Sequence, residues 1–157
     1  MNAASLHEIK KELQTVDSEM LASLCLRLAK YKVENKELLT YLLFEAHNEE
    51  SYVVGVKETI DELFIEIPKR SNTYLVKKTL RKILRFVNKQ IKYSGKKQTE
   101  IELRIYFCSK VKEAQIPLTM GTVLFNMYHQ QLKKIYTVLN ELPEDLQTDY
   151  QREIKKL

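Results

Sequence analysis

The chain has 157 residues, 44% of them apolar and 30% charged, with a net charge of +5. Such a mix is globular rather than disordered, and a chain of this length can bury about two-thirds of its unfolded surface without disulfides or metals. Three glycines and three prolines are too few for many short strands and turns. Charges interrupt every apolar run well before the ~18 residues of a membrane span, and no apolar core of signal-peptide length precedes Lys11.

Apolar spacing predicts about eight helices. Ser5 with Glu8 forms a capping box ahead of Leu6, Ile9 and Leu13. Asp17 or Ser18 caps a second helix that carries Met20, Leu21, Leu24, Leu26 and Leu28 to about Tyr31. Asn35 is expected to cap a third, with Leu38, Leu39, Leu42 and Leu43 at helical spacing. The fourth runs from about Glu50 to Ile67 on a stripe of Val53, Val56, Ile60, Leu63 and Phe64, and Pro68 stops it. The fifth starts after Ser71 and Asn72 and ends near Tyr93, where Gly95 suits a left-handed C′ position. Thr99 with Glu102 is expected to cap the sixth, which ends near Ala114. Ile101, Leu103, Ile105 and Phe107 also alternate like a strand, but a lone strand would have no partner, so a central buried helix is expected. Thr119 is expected to cap the seventh, whose inward face runs from Val123 to Leu139. Pro143 opens the eighth at its first position, and Lys155 and Lys156 close it in accord with the helix dipole.

The expected fold is therefore all-α: six to eight helices in antiparallel hairpins, pairing second with third, fourth with fifth and sixth with seventh. Either a compact bundle or a short α-α superhelix satisfies this, within one domain over 1–157. No repeat period survives counting. Tyr31, Tyr41, Tyr106, Tyr128 and Tyr136 are expected at core or core-edge positions. Cys25 and Cys108 lie in apolar stretches, which predicts buried free thiols and, from them, a reducing compartment, the cytoplasm.

Motifs for catalysis or cofactors are missing. His7, His47 and His129 fall on separate helices, and no Glu-x-x-His exists for a di-iron bundle. Two isolated cysteines lack a Cys-x-x-Cys arm for zinc. Ser94 to Thr99 fails as a phosphate loop, because the first glycine of that motif falls on Gln90 and Lys97 stands where Ser or Thr should bind magnesium. There is no Gly-x-Ser-x-Gly elbow and no dinucleotide fingerprint. A non-enzymatic protein without metal or cofactor is expected.

Charge is segregated. Residues 44–68 carry seven acidic groups and one basic, and residues 69–97 carry eleven basic groups and no acidic one. At ~100° per residue, Lys77, Lys78, Arg81, Lys82, Arg85, Lys89 and Lys92 of the helix at about 73–93 occupy an arc of about 140°, with Tyr74 inside it and Tyr93 at its edge. Leu75, Leu80, Ile83, Leu84, Phe86, Val87 and Ile91 fill the rest. Like charges at i and i+4 repel by a few tenths of a kcal/mol per pair, so something must offset them. Three partners fit: the acidic fourth helix through Glu58, Asp61, Glu62 and Glu66; nucleic acid, with phosphates on the cations and bases on Tyr74 and Tyr93; or an acidic protein surface. A membrane surface does not fit, because the apolar face of this helix is needed for the core. The expected function is a protein-interaction or scaffold module, or alternatively a nucleic-acid-binding protein that uses this basic face.

Overall fold

A computed structural model describes residues 2–68 and 72–157. Lys69, Arg70 and Ser71, which the sequence sets just ahead of the fifth helix, lie outside the described residues. Every regular element among the described residues is helical: α1 (Leu6–Leu13), α2 (Ser18–Tyr31), α3 (Val33–Thr40) continuing into a π-helical turn (Tyr41–Glu45), α4 (Glu49–Ile65), α5 (Thr73–Ser94), α6 (Lys97–Glu113), α7 (Val123–Leu139) and α8 (Glu144–Ile154). The packed pairs include the expected ones, α2 with α3, α4 with α5 and α6 with α7, and α6 also packs on α4 and α5. The chain divides into two compact units, Met1–Phe44 and Glu45–Leu157.

In the first unit, Ser5 and Glu8 complete a reciprocal capping box on α1, and the Asp17 carboxylate accepts from the Met20 N–H at the head of α2. Asn35 does not cap α3. The helix starts at Val33 without a side-chain cap, and Asn35 instead donates back to the Leu28 carbonyl, pinning α3 to α2. No residue of α1, α2 or α3 is buried. Two expectations fail here for that reason: Cys25 is exposed and Tyr31 is 77% exposed.

The second unit holds the main core. Ile60 of α4, Ile83 and Val87 of α5, Ile101, Leu103, Phe107 and Cys108 of α6 and Ile135 of α7 are almost wholly excluded from solvent, and Phe107 meets Phe64 edge-on at 6.0 Å. Residues 101–107 are helix, not strand. Their alternating pattern arises because α6 is enclosed on several sides, so apolar residues are required on more than one face. Asn72 caps α5 and Gly95 ends it with φ of 67°, where any other residue would strain. Thr99 is not a cap. It is buried, and its hydroxyl donates to Glu49, which also accepts from Ser94 and pairs with Lys96 at 2.9 Å. One carboxylate at the head of α4 thus ties down the turn between α5 and α6. Thr122, not Thr119, caps α7, and Pro143 sits one position earlier than expected, at the N-cap of α8. Tyr136 is half-exposed, while Tyr128 is buried and donates to the Leu157 carbonyl.

Candidate anionic-partner surface

Helix α5 has the two-faced character its sequence dictates. Val76, Leu80, Ile83, Val87 and Ile91 are buried, and Tyr74, Lys78, Arg81, Lys82, Arg85 and Lys92 are exposed. Leu75 departs from the expected buried set, at 43% exposure near the start of the helix. Tyr93 also departs from expectation: it is buried, so it offers no ring at the edge of the basic arc.

The cations divide by what surrounds them. Lys78, Arg81 and Arg85 line an open groove of about 410 Å³ together with Tyr74, Leu84 and Asn88 of the same helix and Met127 of α7. Among the described residues, no acidic side chain lines it. The three cations span eight positions, about 10 Å of helix, and lie on one wall with Leu84 and Met127 as the apolar contribution. Tyr74 stands at the amino-terminal end, 62% exposed. Lys77 and Lys89 are half-buried and outside the groove, and Lys89 already has an interaction. Lys82 pairs with Glu66 at 2.7 Å, and Lys92 lies near the far end of the helix.

Internal neutralisation accounts for little of this. Lys82 to Glu66 joins the acidic helix region to the basic one, and a pair this exposed is worth ~0–1 kcal/mol. Asp61 turns to α6 instead, where Lys110 Nζ lies 2.9 Å away and the Tyr106 hydroxyl donates at 2.8 Å. Burial raises the Asp61 pKa, but these two hydrogen bonds and the Lys110 charge outweigh it and leave it below the ordinary value. Among the described residues, no ion pair reaches Lys77, Lys78, Arg81, Arg85 or Lys92.

Beneath the groove lies a buried charge that the sequence reading missed. Arg104 of α6 is 5% exposed. Its Nε and Nη2 donate to Glu100 at 2.9 and 2.7 Å, and its Nη1 donates to Asn88 at 3.0 Å and to Gln131 at 2.7 Å. One guanidinium thus fastens α5 and α7 to α6, and Asn88 carries that anchorage into the groove lining. Signals were present in the sequence: Arg104 interrupts the apolar run Ile101 to Phe107, Gln131 falls within the inward stripe of α7, and Asn88 falls inside the basic arc of α5. Leu84 falls on the apolar side of the helix by spacing and lies at the margin of its buried face, half-buried in the groove.

Comparison with protein-family models, with curated proteins and with solved structures finds no match.

A second, polar cleft of about 390 Å³ lies between α6 and α8, lined among others by Lys57, Glu102, Tyr106, Asp149 and Tyr150. One of its acids, Glu102, is taken up by hydrogen bonding and an ion pair, while Asp149 and Glu153 leave the lining with an excess of negative charge. Tyr150 donates to Glu102 at 2.8 Å, and Lys57 pairs with Glu102 at 3.5 Å. Burial and the bond to Asp61 push Tyr106 up to about 12, and burial and the bond to Glu102 push Tyr150 higher still. Hydrogen bonds to Asp61 and Glu113 raise Lys110. No group of three His, Cys, Asp or Glu among the described residues is placed to hold a metal ion, and no described helix is long and apolar enough to cross a membrane.

Proposed function

We propose that this chain is a non-enzymatic interaction module that takes an acidic protein segment on the basic ridge of α5. The observation that carries this reading is the groove of Lys78, Arg81 and Arg85, which has no acidic lining although seven acidic residues precede it in the chain. Three cations on one wall supply electrostatic attraction, and Leu84 and Met127 supply apolar contact for the non-polar side of an amphipathic segment. Association steered in this way is fast and salt-dependent.

A second reading, single-stranded nucleic acid, rests on Tyr74, whose exposed ring beside three cations suits stacking on an unpaired base. It is the weaker fit. With Tyr93 buried, the ridge offers one ring where a strand would use several.

The absence of catalysis is part of the same proposal and rests on proton chemistry. Acid–base catalysis needs groups whose pKa is drawn toward neutrality. Each clear shift among the described residues runs the other way: Asp61 and Glu8 down, Lys97 and Lys110 up, the tyrosines 106, 128 and 150 up, and Cys108 pushed by burial up to about 12. Burial leads the shifts of Cys108 and the three tyrosines, and hydrogen-bonded partners lead those of Glu8, Lys97 and Lys110, so none of these groups is drawn toward neutrality. The free exposed thiol of Cys25 suits a reducing compartment, so a cytoplasmic location belongs to the proposal as well.

The test is fluorescence anisotropy with two labelled probes, an amphipathic acidic peptide and a single-stranded oligonucleotide, at physiological salt. The proposal expects the peptide to bind and the folded Lys78→Glu/Arg81→Glu/Arg85→Glu variant to lose it. Binding of the oligonucleotide alone, lost in the same variant, transfers the ridge to the second reading. Equal binding of both probes by wild type and variant removes the ridge as a site.

A further inference from the structure

The polar lining of the α5 groove forms a single row. Tyr74, Lys78, Arg81, Arg85 and Asn88 follow one another at steps of four, three, four and three residues. That spacing keeps them within an arc of about 80° along about 21 Å of helix. Arg81 and Arg85 stand at the middle, with Lys78 three residues before the pair and Asn88 three residues after it. Lys78, Arg81 and Arg85 carry donors and no acceptor.

Asn88 joins them as a donor because of what lies beneath it. An asparagine amide has an accepting and a donating end, and its hydrogen-bond partners decide which end faces a ligand. Here Oδ1 accepts from Arg104 Nη1 at 3.0 Å. Arg104 is buried and has no acceptor to offer, so the amide is fixed with its oxygen toward the guanidinium. Its Nδ2 has no partner among the described residues. The row from Lys78 to Asn88 therefore presents donors only, and Arg104 acts as a positioning residue for the last of them. Such a surface selects a ligand rich in acceptors. A carboxylate brings one charge and two oxygens. A phosphoryl group brings a charge of about −1.5 to −2 and three strong acceptor oxygens. Side chains at i and i+4 start about 5–6 Å apart, so the forks of Arg81 and Arg85 can both reach one such group, each with paired hydrogen bonds.

We infer that the segment bound in this groove is phosphorylated. A phosphoserine or phosphothreonine seats its phosphoryl group between Arg81 and Arg85, Lys78 and the Asn88 amide complete the donors, and flanking residues of the segment lie on Leu84 and Met127. This rests on the reading of the groove as a site for an acidic protein segment and names what that segment carries. Phosphorylation of the partner then controls docking, because the mutual repulsion of the three cations is offset best by the group of highest charge.

The test is fluorescence anisotropy with the full chain and labelled forms of one amphipathic acidic peptide, carrying glutamate or phosphoserine at its centre, beside a single-stranded oligonucleotide. The phosphoserine form is expected to bind about tenfold or more tighter than the glutamate form. Arg81→Lys/Arg85→Lys keeps both charges and removes the planar forks, so it should cancel that preference and leave binding of the glutamate form nearly unchanged. Asn88→Asp keeps an acceptor for Arg104 and exchanges the donor for a second acceptor, so it should weaken the phosphoserine form more than the glutamate form. Circular dichroism checks that both variants stay folded, and the wild-type comparison decides the matter even if one does not. Equal affinity for the two peptides, or a preference that survives Arg81→Lys/Arg85→Lys, overturns the inference and leaves the acidic-segment reading standing. Binding of neither peptide overturns both. Tighter binding of the oligonucleotide than of the phosphoserine form overturns the inference in favour of a phosphodiester backbone.

Discussion

Replacing Arg104 by Met tests whether one buried guanidinium holds the floor of the basic groove. The substitution keeps most of the side-chain length and removes four hydrogen bonds. Gln131 is 2% exposed, so its carbonyl oxygen loses its partner without gaining water, at ~1–3 kcal/mol. Glu100 retains 22% side-chain exposure and Asn88 is half-buried, so both can recover part of their hydration. The total is about 2–4 kcal/mol, below the ~3–5 kcal/mol of a fully buried ion pair deprived of one member. At ~2–4 °C per kcal/mol for a chain of this size, the melting temperature should fall by about 5–15 °C in a thermal scan followed by circular dichroism. Arg104→Lys keeps the charge but not the planar fork and should recover less than half of the loss. Combining Arg104→Met with Glu100→Gln and Gln131→Leu removes the unpaired charge and the most buried orphaned acceptor, and should recover most of the loss. A shift of less than about 2 °C for Arg104→Met would refute the reasoning, because it would mean the network contributes no more than a surface ion pair.

Three further outcomes follow from the same structure. Ile83→Ala, at a position with no solvent exposure where α5 meets the core, should cost about 2–5 kcal/mol, read as a lowered urea midpoint. Asp61 titrates below its ordinary 3.8 in the folded chain, so its stabilisation is present above that value and lost as pH falls through the folded pKa. Tyr106, held protonated up to about 12, gives the opposite limb, present below its ordinary 10.0 and lost between 10.0 and about 12. Asp61→Asn should remove the acid limb and shrink the alkaline one, which burial of Tyr106 partly sustains, in urea midpoints measured against pH; an unchanged profile would contradict the pairing. Gly95→Ala places a side chain at φ of 67° and should cost ~1 kcal/mol by the same assay, although open space surrounds the position.

Helix type and approximate bounds were legible because apolar spacing, capping side chains and the turn at Gly95 all pointed the same way for α1, α2, α4 and α5. Failures occurred where a polar side chain had a distant partner. Asn35 and Thr99 are good caps by residue type, yet one bonds back to Leu28 and the other to Glu49, fifty residues away. The strand-like alternation of 101–107 reflected enclosure of α6 on several sides, which a single helical period does not describe. Cys25 and Tyr31 are exposed although their neighbours are apolar, because α3 packs on one side of α2 and leaves theirs open. At the candidate surface, the arc on α5 was readable from residue spacing. Which acid takes which base was not, since Asp61 serves α6 as readily as it would serve α5. Arg104, Gln131 and Asn88 each break an apolar or basic pattern on a different helix, but only the packing of α5, α6 and α7 shows that the three breaks meet.

The most direct test of the account is the salt dependence of binding of a labelled acidic amphipathic peptide to the wild-type chain and to Lys78→Glu/Arg81→Glu/Arg85→Glu. The account predicts binding by the wild type that weakens steeply as salt rises, and binding by the folded variant at least tenfold weaker at physiological salt, with little further salt dependence. Equal affinities and equal salt dependence for the two proteins would contradict it.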